Sequence, residues 1–133
     1  MTSFIDTNVL LYLASADQAK ADRAEEIVGR GGAISVQVLN EFASVARRKM
    51  RLSWAETHAF LSTLRALLPV HPVTIDIHEI GIEIAQRYSL SIYDAMVVAS
   101  ALHAGCDTLW SEDMQHGLSI DHRLRIANPF LAA

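Results

Sequence analysis

The chain has 133 residues, of which 51% are hydrophobic and 20% charged, with six glycines and three prolines. That length fits one domain spanning 1–133, and the composition excludes a disordered tail, a collagen-like repeat and a low-complexity linker. Fifteen acidic against eleven basic side chains give a formal charge of −4, which excludes a protein that grips duplex nucleic acid by a basic surface alone. Its apolar runs are too short to span a bilayer, and no charged-then-apolar leader precedes Phe4. The lone Cys106 cannot form an internal disulfide or a multi-cysteine zinc site. The expectation is a cytoplasmic protein.

Short apolar runs alternate with helix-like segments, without internal repeats. Ser3 to Ile5 reads as a strand that stops at Asp6, and Asn8 to Leu13 as a short buried helix. Asp17 caps a second helix from Gln18 to Val28, which Gly29, Gly31 and Gly32 end. Ala33 to Ser35 is a brief strand, followed by a helix from Val36 to Met50 with an apolar stripe of Leu39, Phe42, Ala43, Ala46 and Met50. Ser53-Trp54-Ala55-Glu56 has the form of a capping box and opens a helix to about Leu67. Val70 to Thr74 reads as a strand in which Pro72 marks an edge or an end. A helix opened by Asp76 runs to Tyr88. Ile92 to Ala104, apolar almost all round, predicts a buried helix ended by Gly105. Thr108 to Ser111 and Leu124 to Ala127 complete the strands. This order predicts a three-layer α/β/α domain with a mainly parallel central sheet.

In such sheets ligands collect at the carboxyl ends of the strands. Asp6 follows the first strand, and Asp113 follows the Thr108 to Ser111 strand by two residues. Glu41 lies in the second turn of the helix after the second strand, and Asp94 in the first turn of the buried helix. Thr7, Asn8, Ser35 and Ser111 supply polar groups beside them. Each acid also has a plain structural role: Asp6 and Asp113 as caps, Asp94 as a helix-dipole partner, Glu41 as a solvated helix residue. Four carboxylates on one edge nevertheless repel by about 1–4 kcal/mol per pair at 4 Å. A hard cation such as Mg²⁺ or Mn²⁺, with its demand for oxygen ligands, removes that cost and suits phosphate chemistry. Reserving four acids for a metal leaves eleven acidic residues against eleven basic ones, so a nucleic-acid substrate stays open.

The residues Phe4-Ile5-Asp6-Thr7-Asn8-Val9-Leu10, Asn40-Glu41, Leu90-Ser91-Ile92-Tyr93-Asp94-Ala95, Thr108-Leu109-Trp110-Ser111-Glu112-Asp113 and the closing Ile126 to Phe130 carry a resemblance over nearly the whole chain. The sequence resembles the PIN-domain ribonucleases, and most closely the VapC-type toxins of toxin–antitoxin pairs. The resemblance implies that Asp6, Glu41, Asp94 and Asp113 are catalytic and bind Mg²⁺ or Mn²⁺, with Asn8 and Ser111 in support and Glu112 outside the ligand set. It implies hydrolysis of RNA phosphodiester bonds by a metal-activated water, leaving 5′-phosphate and 3′-hydroxyl ends. The partners it implies are an RNA substrate, a cognate antitoxin protein and a second copy of the chain in a homodimer.

Alternative readings are a PIN-domain nuclease that is not a toxin, a PIN-like RNA-binding scaffold without catalysis, and an aspartyl-phosphate phosphatase. The phosphatase requires an Asp-x-Asp motif whose second acid is Asn8 here. The basic cluster of Arg47, Arg48, Lys49 and Arg51 reads as a solvated helix end or an RNA-phosphate contact. Tyr12, Trp54, Tyr93 and Trp110 are expected in the core or an interface rather than as base-stacking platforms. Cys106 is expected to be a buried small hydrophobe, and His116 and His122 lack the spacing of a zinc site.

Overall fold

A computed structural model describes residues 2–131. The first strand, β1 (Ser3–Ile5), is buried along its whole length, as befits a strand covered on both faces. Asp6 ends it and caps α1 (Thr7–Leu11) by accepting a hydrogen bond from the Thr7 amide. One 3-10 turn, Tyr12–Ala14, leads to α2 (Gln18–Gly29), where Asp17 accepts from the Lys20 amide. Gly31 (φ +84°) makes the left-handed turn out of α2. From β2 (Ile34–Ser35) the chain passes directly into α3 (Val36–Arg48), with the Ser35 hydroxyl capping it through the Val38 amide. Ser53 and Glu56 form a complete capping box at the start of α4 (Trp54–Leu67). There follow β3 (Val70–His71), α5 (Ile75–Tyr88), α6 (Ile92–His103), β4 (Thr108–Trp110), β5 (Ser119–Ile120) and β6 (Leu124–Ala127).

The main sheet has the order β1-β4-β6-β5, with the first three strands parallel and β5 antiparallel to β6. A parallel β2-β3 pair joins the other side of β1 through a bridge between Phe4 and Ala33. The Ile5 amide donates to the Ala33 carbonyl at 3.0 Å, and the Ala33 amide to the Ser3 carbonyl at 2.9 Å. Helices complete a three-layer α/β/α arrangement. Its core contains Phe4, Ile34, Phe42, Leu64, Ile84 and Leu109, all 1% exposed or less. Such side chains contribute roughly 1.5–3 kcal/mol each relative to leaving them in water. In α6 every residue from Ala95 to Leu102 is buried, and Cys106 is buried beside it. Among the described residues no helix is long and apolar enough to cross a membrane.

Several boundaries differ from the sequence expectation. The strand expected over Val70 to Thr74 stops at His71, because Pro72 has no amide to continue a ladder. Thr74 instead caps α5 through the Ile77 amide. Helix α3 ends at Arg48 rather than Met50: Arg51 adopts φ +56°, and the Leu52 amide turns back to the Ala46 carbonyl at 3.0 Å. Its buried line is Val38, Phe42 and Ala46, while Leu39, Ala43 and Met50 flank it half-buried. The strand expected over Thr108 to Ser111 stops at Trp110, whereas the closing strand spans Leu124–Ala127 as expected. The short β5 was not expected, since two residues show no period. It forms a hairpin whose turn residues Asp121 and His122 are both left-handed (φ +53° and +55°), and Arg87 and Tyr88 of α5 hold the Asp121 carboxylate.

Candidate active site

The parallel register that sets Ile5 opposite Trp110 also sets the residues that follow, Asp6 and Ser111, side by side at the carboxyl edge. The Asp6 amide donates to the Trp110 carbonyl at 3.0 Å, fixing where both strands stop. The Asp6 carboxylate then accepts three hydrogen bonds. Oδ1 takes the Thr7 amide at 2.8 Å; Oδ2 takes the Ser111 hydroxyl at 2.9 Å and the Asn8 amide nitrogen at 3.0 Å. Asn8 Nδ2 also lies 3.2 Å from Asp113 Oδ2 and 3.3 Å from Ser111 Oγ, while its Oδ1 accepts the Glu112 amide at 2.9 Å. That last bond sets the orientation of the Asn8 amide, with its two hydrogens aimed at the carboxylates. Ser111 Oγ accepts the Asp113 amide at 3.3 Å. Asn8 and Ser111 thus tie β1 to the loop after β4.

The other two acids arrive on helices. Glu41 sits on α3 one turn beyond Gln37, whose Nε2 donates to Glu41 Oε1 at 2.8 Å. The Thr7 hydroxyl donates to Glu41 Oε2 at 3.1 Å. Asp94 stands in the first turn of α6, where Ser91 caps the helix through the Asp94 amide at 3.2 Å. Gln37 Nε2 also reaches the Tyr93 carbonyl at 3.1 Å, linking α3 to the start of α6.

The electrostatics show that these four carboxylates share one region. Burial pushes the Asp6 carboxyl up to about 6; the Ser111 and Thr7 hydrogen bonds oppose that rise, while the charges of Glu41 and Asp94 add to it. The Asp94 carboxyl is raised chiefly by burial, against the Ser91 hydroxyl and with the charges of Asp113 and Glu41. Glu112 behaves otherwise. Burial raises it, but hydrogen bonds from Lys20 (2.9 Å) and the Tyr12 hydroxyl (2.7 Å) outweigh that and leave it below the usual carboxylate range. Glu112 is neutralised by Lys20, turned away from the group formed by its neighbour Asp113.

Among the described residues, no three acidic, histidine or cysteine side chains converge closely enough to hold an ion as they stand. The donor set still fits a hard cation. Mg²⁺ keeps several waters and needs only one or two carboxylates directly, so gathered oxygen donors serve it without a closed cage. Asp6 uses three of its roughly four acceptor directions on protein donors, leaving one free.

Sequence reasoning missed Gln37 and Lys20. Gln37 could have been found from its i, i+4 spacing to Glu41, whereas no local pattern links Lys20 to Glu112. Ser35, expected beside the acids, serves as the α3 cap instead. Trp54 and Tyr93 are not in the core: they are 62% and 73% exposed. His116 accepts the Asn128 amide through Nδ1 at 2.9 Å, a structural bond.

The PIN domain family model matches residues 3–117. The chain belongs to the PIN domain family. Among curated proteins no sequence matches it. Solved structures share this fold. The VapC20 toxin of Mycobacterium tuberculosis, which cleaves the sarcin–ricin loop, is 23% identical with a TM-score of 0.69; the match covers 84% of this chain and 92% of that one. A toxin–antitoxin complex from Klebsiella pneumoniae is 22% identical with a TM-score of 0.73, covering 97% and 98%. VapBC2 from Rickettsia felis, bound to a DNA fragment from its promoter, is 17% identical with a TM-score of 0.69, covering 96% and 98%. PIN domains are nucleases, and this chain has their fold.

Proposed function

We propose that the chain is a metal-dependent endoribonuclease and the toxin of a type II toxin–antitoxin pair. The observation that carries the reading is the gathering of Asp6, Glu41, Asp94 and Asp113 at one sheet edge, where burial and mutual charge raise Asp6 and Asp94. When bound, Mg²⁺ or Mn²⁺ supplies a water of lowered pKa and offsets charge on the attacked phosphate. The four carboxylates would hold the cation, directly or through its waters. Asp6 keeps its orientation through Thr7, Asn8 and Ser111, and a carboxylate of the group accepts the proton of the attacking water. The products are a 5′-phosphate and a 3′-hydroxyl, since the RNA 2′-hydroxyl takes no part.

The toxin reading draws on the neighbours named for toxins and toxin–antitoxin complexes. On that reading the chain works in the cytoplasm as a homodimer and is silenced by an antitoxin. The test is cleavage of RNA by the purified protein with Mg²⁺ or Mn²⁺ and with EDTA. Cleavage that survives EDTA, or products with 2′,3′-cyclic phosphate ends, would sink the mechanism. An RNA-binding scaffold would bind without cutting. A nuclease that is not a toxin would cut, but growth arrest on expression, relieved by a protein encoded beside it, would be absent.

A further inference from the structure

The basic cluster over Arg47 to Arg51 divides into side chains with different tasks. Arg47 donates to the Leu52 carbonyl at 2.7 Å and stacks 4.3 Å from the Trp54 ring centre, so it closes the end of α3. Lys49 is exposed, and Arg51 occupies the left-handed turn. Arg48 lines a groove of about 710 Å³ whose other walls are Gln37, Asn40, Glu41, Ser44 and Tyr93. The groove begins at the acidic site, through Glu41, and runs along the outer face of α3, where these residues recur at helical spacing. Among the described residues Arg48 has no carboxylate partner; its Nη1 reaches only Ser44 Oγ at 3.4 Å.

Across the groove stands Tyr93, the residue before Asp94. Its ring is largely exposed, yet its backbone is pinned through Gln37 to Glu41. An exposed aromatic on a fixed backbone loses little entropy when a flat group stacks on it. Without a carboxylate partner among the described residues, the Arg48 guanidinium is free to meet an anion at the groove. Between them Asn40 and Ser44 offer neutral donors and acceptors, and Gln37, whose two N–H groups are already engaged, offers its side-chain carbonyl oxygen. A flat ring, an anion and hydrogen-bonding edges together describe a nucleotide.

We propose that this groove is the subsite for the single-stranded RNA beside the scissile phosphate, with a base stacked on Tyr93 and a neighbouring phosphate held by Arg48. The proposal rests on the ribonuclease reading, and binding and cleavage test the two separately. Binding of a 5′-fluorescein-labelled, random-sequence single-stranded RNA pool is followed by fluorescence anisotropy in Mg²⁺ in an Asp6→Asn background, which leaves the RNA uncut, and cleavage of the same pool by steady-state kinetics in the chain with Asp6 intact. Tyr93→Ala is expected to weaken binding roughly five- to hundredfold, the range for loss of one base–aromatic stack, with the kinetic loss falling on KM rather than kcat. Tyr93→Phe restores most of the affinity, because the ring and not the hydroxyl is used. Arg48→Gln is expected to weaken binding and make its salt dependence shallower by about 0.7 in log–log slope, one single-strand phosphate. Lys49→Gln, one residue away and outside the groove, changes both less. Equal losses in Arg48→Gln and Lys49→Gln, or unchanged affinity in Tyr93→Ala, would overturn the subsite. So would a parent protein that binds no RNA. Binding that depends on Tyr93 and Arg48 without cleavage would uphold the subsite and overturn the ribonuclease reading.

Discussion

The two sides of the acidic edge are built in different ways. On the strand side, Asp6, Asn8, Ser111 and Asp113 are bound to one another, and Lys20, Tyr12 and Glu112 clamp the loop after β4 from outside. On the helix side, Glu41 and Asp94 depend mainly on where α3 and α6 lie, with Thr7 of α1 bonded to Glu41 and Gln37 of α3 tying Glu41 to the start of α6. The strand side is positioned by hydrogen bonds, and the helix side by packing. Errors on the first side are local, while those on the second are transmitted through whole helices.

The largest effects should come from removing one acid on each side. Asp6→Asn and Asp94→Asn are both expected to abolish RNA cleavage, but their stabilities should differ with pH. Asp6 holds its proton up to about 6 when folded, against 3.8 ordinarily. Between those values the folded chain binds more protons than the unfolded one, so metal-free stability falls as pH rises, by up to roughly 3 kcal/mol. Asp6→Asn should flatten that fall in urea unfolding curves taken from pH 4 to 7. An unchanged slope would mean Asp6 is not the buried acid responsible.

Next is Glu41→Asp, which conserves charge but withdraws the carboxylate by one methylene, about 1.5 Å. Metal affinity by calorimetry and turnover should both fall strongly, because an Mg²⁺ site at 2.0–2.1 Å tolerates little displacement. Full activity would remove Glu41 from the site. Asn8→Ala, on the strand side, should cost roughly 10–100-fold in metal affinity or activity, as loss of an orienting partner does. If it costs nothing, the hydrogen-bonded side is not what orients the acids. The smallest effect is expected for Glu112→Gln, which loosens the Lys20 and Tyr12 clamp without touching the acidic group. Activity should fall less than in Asn8→Ala, with a slightly lower melting temperature. A loss as large as that of Asp6→Asn would place Glu112 among the catalytic acids.

Much of this was legible beforehand because it is local. Asp6 and Asp113 could be placed by following strands to their ends, and Asp94 by the Ser91 cap and the unbroken apolar run of α6. Glu41 lay at the border of a stripe, and its neighbour Gln37 was overlooked although helical geometry puts the two together. The clamp on Glu112 joins residues 92 apart in sequence, which no periodicity reveals. Strand β5 escaped because its existence depends on a turn at Asp121 and His122 that tertiary bonds from Arg87 and Tyr88 sustain. The exposure of Tyr93 contradicts the habit of burying aromatics, and the departure falls beside the acids, where local rules give way to a site.

The shortness of the outermost strands has a consequence for how the protein fares when crowded. The sheet ends at β3 on one side and β5 on the other, each two residues long, and Pro72 follows β3 directly. At about 3.3 Å per residue, neither rim offers a row of open backbone groups long enough to template another chain, whereas cross-β stacking takes segments of about six or seven residues. Folded molecules therefore have little means of zipping together rim to rim. Strand-to-strand growth would first need local unfolding to free a longer run of backbone.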